Sequence, residues 1–206
     1  MTTTILDSPR PPDATTFDVP RQVRIRVGPD DFAALCAANP DLRLEREADG
    51  GVIVMSPASS RGGRRNLTLG ARLWIWNEAA GLGVGFDSST GFTLPDGSVR
   101  APDAAWALRE RWDRLTPAEQ DRFAPIAPDF VAELRSPSDA PGELRAKMAH
   151  YIAQGVRLAW LIDPVARTVE IHRPGRDVEV LTRPATLSGE GVLPGFTLDL
   201  KGILFD

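Results

Sequence analysis

Two short apolar stretches in the middle of the chain each carry one internal acid. In APDAAWAL (101–108) it is Asp103, and in FVAEL (130–134) it is Glu133. Both read as buried β-strands, being rich in Ala, Val, Phe and Trp. Pro102 also pushes Ala101 towards extended backbone. A carboxylate in such surroundings costs several kcal/mol to desolvate unless something compensates it. On neighbouring strands the two acids lie a few ångströms apart, where they repel and shift each other's pKa. An Arg or Lys partner would relieve this, and so would a divalent cation held between them. Mg²⁺ suits carboxylate oxygens and keeps waters that can act as nucleophile. At this level both compensators stay open.

The segments around these runs define the class. RQVRIRV (21–27) alternates like a half-buried strand, and DDFAALCAAN (30–39) reads as a helix stopped by Asn39-Pro40. LRLERE and GVIVMS flank Asp49-Gly50-Gly51, a hairpin signal. A helix is predicted from Arg64 to Ala80, with Leu67, Leu73, Ile75 and Trp76 as its apolar face and Gly81 as its stop. Residues 84–99 read as short strands with turns at Ser88-Ser89 and Asp96-Gly97. Arg109 to Arg122 forms two short helical turns, the second with capping-box spacing at Thr116 and Glu119. A helix over Pro141–Gln154 ends at Gly155, and VRLAWLID (156–163) is a third buried strand. TVEIHRP and VEVLTRP read as more exposed strands, and GFTLDLKGILF as a last strand or helix on the core. Strands alternating with helices predict an α/β sheet with helices on its faces. The Pro-, Thr- and Asp-rich residues 1–20 read as a flexible leader, and 21–206 as a single domain, which suits a chain of 206 residues.

A third chemical element lies on the helix after the Ser/Pro turn at Ser136–Asp139. Leu144, Met148 and Ile152 recur at i, i+4 and i+8 as its buried stripe, and Lys147 and Tyr151 lie just beside it. Lys147 therefore points along the boundary between core and cleft, where an ammonium can neutralise a scissile phosphate or position a water. Glu143 and Lys147 also have the spacing of an ordinary surface pair. The order of Asp, then Glu, then Lys in the next helix favours the chemical reading.

Net charge is −4, which argues against a protein that simply coats nucleic acid but not against a nuclease with a local basic strip. Arg61, Arg64, Arg65 and Arg72 form such a strip, although charge runs are often plain solvated surface. SSRGGRRN is not a nucleotide-binding loop, but its amides and arginines at a helix start suit a DNA phosphate. His150 and His172 lack metal-ligand spacing, and no Ser/His/Asp motif is present. Trp74, Trp76, Trp106 and Trp160 sit in apolar runs and read as core, as does the lone Cys36. The start of the chain has no secretory pattern and no run is long enough for a membrane helix, so a cytoplasmic location is expected. A glycosidase acid pair, which needs no metal, is a competing use of two carboxylates.

The ordered string MSPASSRGGRRN, GFDSSTGFTLPDG, RAPDAAWAL, PDFVAELRSPSD, KMAHYIAQGVRLAWLIDP and GEGVLPGFTLDL resembles the Uma-two family, grouped with restriction endonucleases in the PD-(D/E)XK nuclease superfamily. The likeness runs from about Val23 to the C-terminus. It implies a restriction-endonuclease-like fold, a four-stranded mixed core sheet flanked by helices with added β-structure. It also implies a hydrolytic site using Mg²⁺ or Mn²⁺, DNA as substrate, and a homodimer. Pro102-Asp103 matches the PD of the motif and Glu133 its second acid. Arg135 stands in the usual lysine slot, a departure, and its guanidinium stays protonated. In this family the lysine is commonly displaced to the following helix, which matches Lys147. Glu45 matches an acid of the early hairpin and joins the implied metal set. Gly62-Gly63-Arg64 replaces a loop histidine common among relatives, so no role there carries over. The departure at Arg135 and the acidic balance leave an alternative, a nuclease fold kept as an inactive DNA-binding or dimerisation module.

Overall fold

The structure, a computed structural model, describes residues 25–205, so the leader expected over 1–20 lies outside the described residues. Of the strand expected over 21–27, residues 25–27 are described, and Arg26 bridges antiparallel to Gly51. Helix α1 (Pro29–Ala38) follows, with Pro29 at its first turn. Strands β1 (Arg43–Arg46) and β2 (Val52–Met55) form the predicted hairpin. Gly50 has φ of 91°, the left-handed backbone this turn requires.

Helix α2 (Ser60–Ala80) begins before the predicted Arg64, because the Ser59 side chain caps it by accepting from the Gly62 amide. The two glycines therefore lie in its first turn rather than in a loop. Its inward face also differs from expectation. Leu69, Leu73 and Asn77 are buried, whereas Leu67, Trp74 and Ile75 are exposed. Several apolar residues within one turn cannot all face inward, and the sheet beneath α2 selects the 69/73/77 ridge.

Next come β3 (Gly83–Phe86), β4 (Phe92–Thr93), β5 (Val99–Arg100) and β6 (Ala104–Leu108). The short helices α3 (Arg109–Trp112) and α4 (Pro117–Gln120) follow, α4 with a complete Thr116/Glu119 capping box. Strand β7 (Phe130–Leu134), helix α5 (Pro141–Ala153) and strand β8 (Leu158–Asp163) make one crossover unit. The chain then adds β9 (Thr168–His172), β10 (Glu179–Thr182), β11 (Thr186–Ser188) and β12 (Thr197–Asp199).

The central sheet is mixed and has six strands in the order β10-β9-β8-β7-β6-β3. Only β7 and β8 run parallel in it, and α5 supplies the long connection that such a pair needs. A second sheet has the order β2-β1-β5-β4, and β11 and β12 form a hairpin. The expected α/β architecture with helices on a mixed sheet and extra β-hairpins is present. β9, expected to be exposed, is buried along most of its length because Val169 and Ile171 pack into the layer closed by the C-terminal segment while Glu170 meets Arg145 of α5 on the other face.

The pleat divides side chains between two faces. One face carries Ala104, Trp106, Phe130, Ala132, Leu158, Trp160, Ile162, Val169 and Ile171, and is closed by Leu69 and Leu73 of α2 and by Leu187 to Leu204 of the C-terminal segment. Trp106 and Trp160 fill it, Trp76 packs at its margin, and Trp74 does not join it, which corrects the reading of all four as core. The Trp106 indole N–H donates to Asn77 Oδ1 at 2.7 Å, so the buried amide is matched. The other face carries Ala105, Ala107, Val131, Ala159 and Leu161, and packs on Met148 and Tyr151 of α5.

Candidate functional site

Asp103 sits on a bend one residue before β6. The pairing of Ala104 with Ala132 continues to set Asp103 opposite Glu133, on the face covered by α5. The two acids that stood out in the sequence are therefore cross-strand neighbours at the end of β6 and β7. Asp103 Oδ1 accepts from Asn66 Nδ2 at 2.9 Å, and Oδ2 accepts the Leu134 amide at 2.7 Å. Burial nevertheless raises its pKa, outweighing the Leu134 amide, Lys147 and the Asn66 contact.

Glu133 is 5% exposed, and its Oε1 accepts from the Tyr151 hydroxyl at 3.0 Å and pairs with Lys147 Nζ at 2.8 Å. Burial pushes its carboxyl up to about 7, opposed by Lys147 and reinforced by the charges of Asp103 and Glu45. Lys147 reaches this point because Tyr151 and Met148, not Ile152, make the most buried line of α5. Its ammonium lies 2.8 Å from both Glu45 and Glu133, and 5.8 Å from the centre of the Tyr151 ring. Burial alone would lower its pKa, but the two carboxylates override this and raise it. The Glu143 pairing available from helical spacing is not where this lysine goes.

Glu45, on β1, is buried, and its oxygens accept from Lys147, the Ala101 amide at 2.9 Å and Arg100 Nη1 at 3.1 Å. Burial would raise its pKa, yet Lys147, the Ala101 amide and Arg100 together lower it. Arg135 turns away from the acids and pairs with Asp163 at 2.9 Å. Arg61, Arg64 and Arg65 lie in the first turns of α2, upstream of Asn66, while Arg72 reaches the Lys201 carbonyl at 2.9 Å. His150 contacts Ser98 Oγ at 3.0 Å and His172 lies beside Glu170, so neither enters the site. Cys36 is half-buried on α1.

Sequence reasoning did not assign Tyr151, Arg100 or Asn66. Tyr151 had a detectable signal, being one turn from Lys147 on the same side of its helix. Asn66 and Arg100 had none, because their contacts join segments far apart in the chain.

Whether a divalent cation fits can be judged from the donors. Among the described residues no three or more His, Cys, Asp or Glu side chains come together as a metal cage. The available set is the facing Asp103–Glu133 pair. Mg²⁺ is commonly held by one or two carboxylates, with water and phosphate oxygens completing its shell. The pair is also short of positive charge. Glu45, Asp103 and Glu133 carry three potential charges, and the directly bonded cations are Lys147 and Arg100, which leaves one over. Burial raises the pKa of both facing acids, with the neighbouring carboxylates adding to the rise at Glu133. A hard cation with few protein ligands fits.

The mixed sheet flanked by helices, with its additional small sheets, is a restriction-endonuclease-like fold. The chain belongs to the Uma2 family, described as "Putative restriction endonuclease", which matches residues 29–201. Among solved structures it is similar to a protein from Anabaena variabilis described as a "putative nuclease", with a TM-score of 0.65 and 21% identity. That likeness covers 78% of this chain and 89% of the other, and it establishes the fold. No curated protein matches the chain. Among the described residues no helix is long and apolar enough to cross a membrane.

Proposed function

We propose that this protein is a metal-dependent endonuclease that hydrolyses DNA phosphodiester bonds, with Asp103, Glu133 and Lys147 at its centre. The observation that carries this reading is the facing pair of acids, Glu133 buried and Asp103 half-buried, both raised in pKa, at the ends of β6 and β7. Asp103 and Glu133 would hold Mg²⁺ or Mn²⁺. Such an ion supplies charge stabilisation at the phosphate and a more acidic bound water. The Leu134 amide and Asn66 fix the orientation of Asp103. Tyr151 and Lys147 hold Glu133. Lys147 remains protonated at neutral pH, so it acts as a positive charge and hydrogen-bond donor towards a phosphate oxygen, not as a base. Glu45 was expected as a metal ligand. Its oxygens already receive Lys147, Arg100 and the Ala101 amide, so we assign it to positioning Lys147.

Arg61, Arg64 and Arg65, on a helix start whose first turn holds no acid, suit DNA phosphates. A homodimer, as the family resemblance implies, completes the reading. The test is cleavage of supercoiled plasmid with Mg²⁺ or Mn²⁺. Asp103→Ala and Glu133→Ala should each lose on the order of 10²-fold or more in rate, and cleavage equal to wild type by both variants overturns the assignment.

One observation favours a second reading. Lys147 already bridges Glu45 and Glu133 without any ion, as it would in a nuclease fold kept only for binding DNA or for dimerisation. Calorimetric titration separates the two, because failure to bind any divalent cation at millimolar concentration selects this module.

A further inference from the structure

Beside Asp103 lies a cleft of about 540 Å³ with a mixed polar and apolar lining. Asp103, Asn66, Gly63 and Arg43 line it together with Asp87 and Ser88, and the Arg43 guanidinium donates to the Ser88 carbonyl. Its apolar walls are Leu67, Trp74 and Phe86. Trp74 is 58% exposed and Leu67 73% exposed, whereas the two tryptophans of the sheet are fully buried. An indole left in an open cleft forgoes the burial that makes tryptophan useful in a core. Trp74 lies eight residues beyond Asn66 on the same helix, about 12 Å along its axis. A base attached to a nucleotide near the scissile phosphate spans that reach.

The ligand that fits has a negative end and a flat apolar end. Arg43, set among the acids Asp87 and Asp103, is the cation of the lining for the negative end, and the Trp74 face matches the flat one. Paired duplex DNA presents phosphates and groove edges, with its base faces stacked inside. An aromatic wall gains nothing from such a duplex. It gains from a base that has left the stack, since every base has a π-face.

We propose that this cleft takes an unpaired nucleobase stacked on Trp74, so that the preferred substrate is single-stranded or locally opened DNA. The proposal rests on the nuclease reading for what happens at Asp103, but the binding it describes needs no cleavage.

The experiment therefore measures binding in EDTA, by fluorescence anisotropy of a labelled single-stranded oligonucleotide and of the blunt duplex of the same sequence. Wild type should bind the single strand at least about tenfold more tightly than the duplex. Trp74→Ala should weaken single-strand binding roughly tenfold to a hundredfold, Trp74→Phe should restore most of it, and duplex binding should not move. Thermal melts of both variants check the fold, which an exposed side chain should leave intact. Equal affinity for the two DNAs, unchanged by Trp74→Ala, overturns the proposal. A change in oligomeric state by light scattering on Trp74→Ala, with DNA binding unaltered, also overturns it and makes the cleft a protein interface. Plasmid cleavage on the same preparations keeps the two ideas apart. Single-strand preference without any cleavage removes the nuclease and leaves the cleft, and cleavage without the preference does the reverse.

Discussion

The two faces of the central sheet use the same backbone for opposite ends. On the α2 face, Trp106, Phe130, Trp160, Val169 and Ile171 meet α2 and the C-terminal segment in an almost wholly apolar layer, with the Trp106–Asn77 hydrogen bond inside it. On the α5 face, the same strands place Glu133, Glu170 and His172 among Val131, Ala159 and Leu161, with Lys147 and Tyr151 above them. The first layer stabilises by excluding water. The second holds ionisable groups in a medium that resists their charge, which costs stability and tunes their pKa values. Proteins accept that kind of local strain where chemistry is done. The comparison teaches that the apolar core and the ionisable cluster sit on opposite sides of one sheet, so substitutions on the two sides should fail in different ways.

The hardest test of this division is a large truncation on each side. Trp160→Ala on the apolar face should destabilise the fold by about 3–5 kcal/mol in urea unfolding, while the protein that remains folded keeps its divalent-cation affinity. Lys147→Met on the polar face should leave Glu45 and Glu133 without their shared cation. Its expected cost is about 3 kcal/mol in the absence of metal, much of it regained on adding Mg²⁺ or Mn²⁺. If metal fails to raise the melting temperature of Lys147→Met more than that of wild type, the carboxylates do not share their charge deficit with an ion.

A subtler effect is the linkage to protons. The Glu133 carboxyl rises from an ordinary 4.5 to about 7 in the folded, metal-free protein. A raised acid pKa penalises the folded state as pH climbs. The penalty is absent below the unfolded value, grows between 4.5 and about 7, and is constant above that. A metal ligand must be deprotonated, so cation affinity should rise through this window and flatten above it. Calorimetry at about pH 6 in two buffers of different ionisation enthalpy should show release of up to one proton per ion. No buffer dependence would place the metal away from Glu133. The smallest effect belongs to the rim of the same face. Arg145→Ala removes a largely exposed partner of Glu170 and should cost no more than about 1 kcal/mol by urea unfolding.

Much of the α5 face was legible from the chain alone. Asp103 and Glu133 announced themselves as acids in apolar strands, Lys147 as a basic residue beside the apolar stripe of the following helix, and the hairpin of β1 and β2 by its Asp-Gly-Gly turn. The α2 face was read less well. Leu67, Ile75, Trp74 and Trp76 look equally apolar in a one-dimensional pattern, and the sheet beneath, not the sequence period, decided that Leu69, Leu73 and Asn77 point inward. β9 looked like a surface strand, but the C-terminal segment covers Val169 and Ile171 on one face and Arg145 of α5 meets Glu170 on the other.

The sequence by itself determined which residues carry charge into apolar surroundings and which segments form strands, helices and turns, because periodicity and turn chemistry act over a few neighbouring residues. Only the tertiary structure decided that Asp103 stands across from Glu133, that Lys147 bridges Glu133 to Glu45 on a separate sheet, and that Asn66 and Arg100 close the ring of contacts. Those pairings join positions many tens of residues apart, and hydrogen bonds and Coulomb forces reach only a few ångströms through space. Until the strands are in register, nothing in the order of the residues tells one acid which cation it will meet.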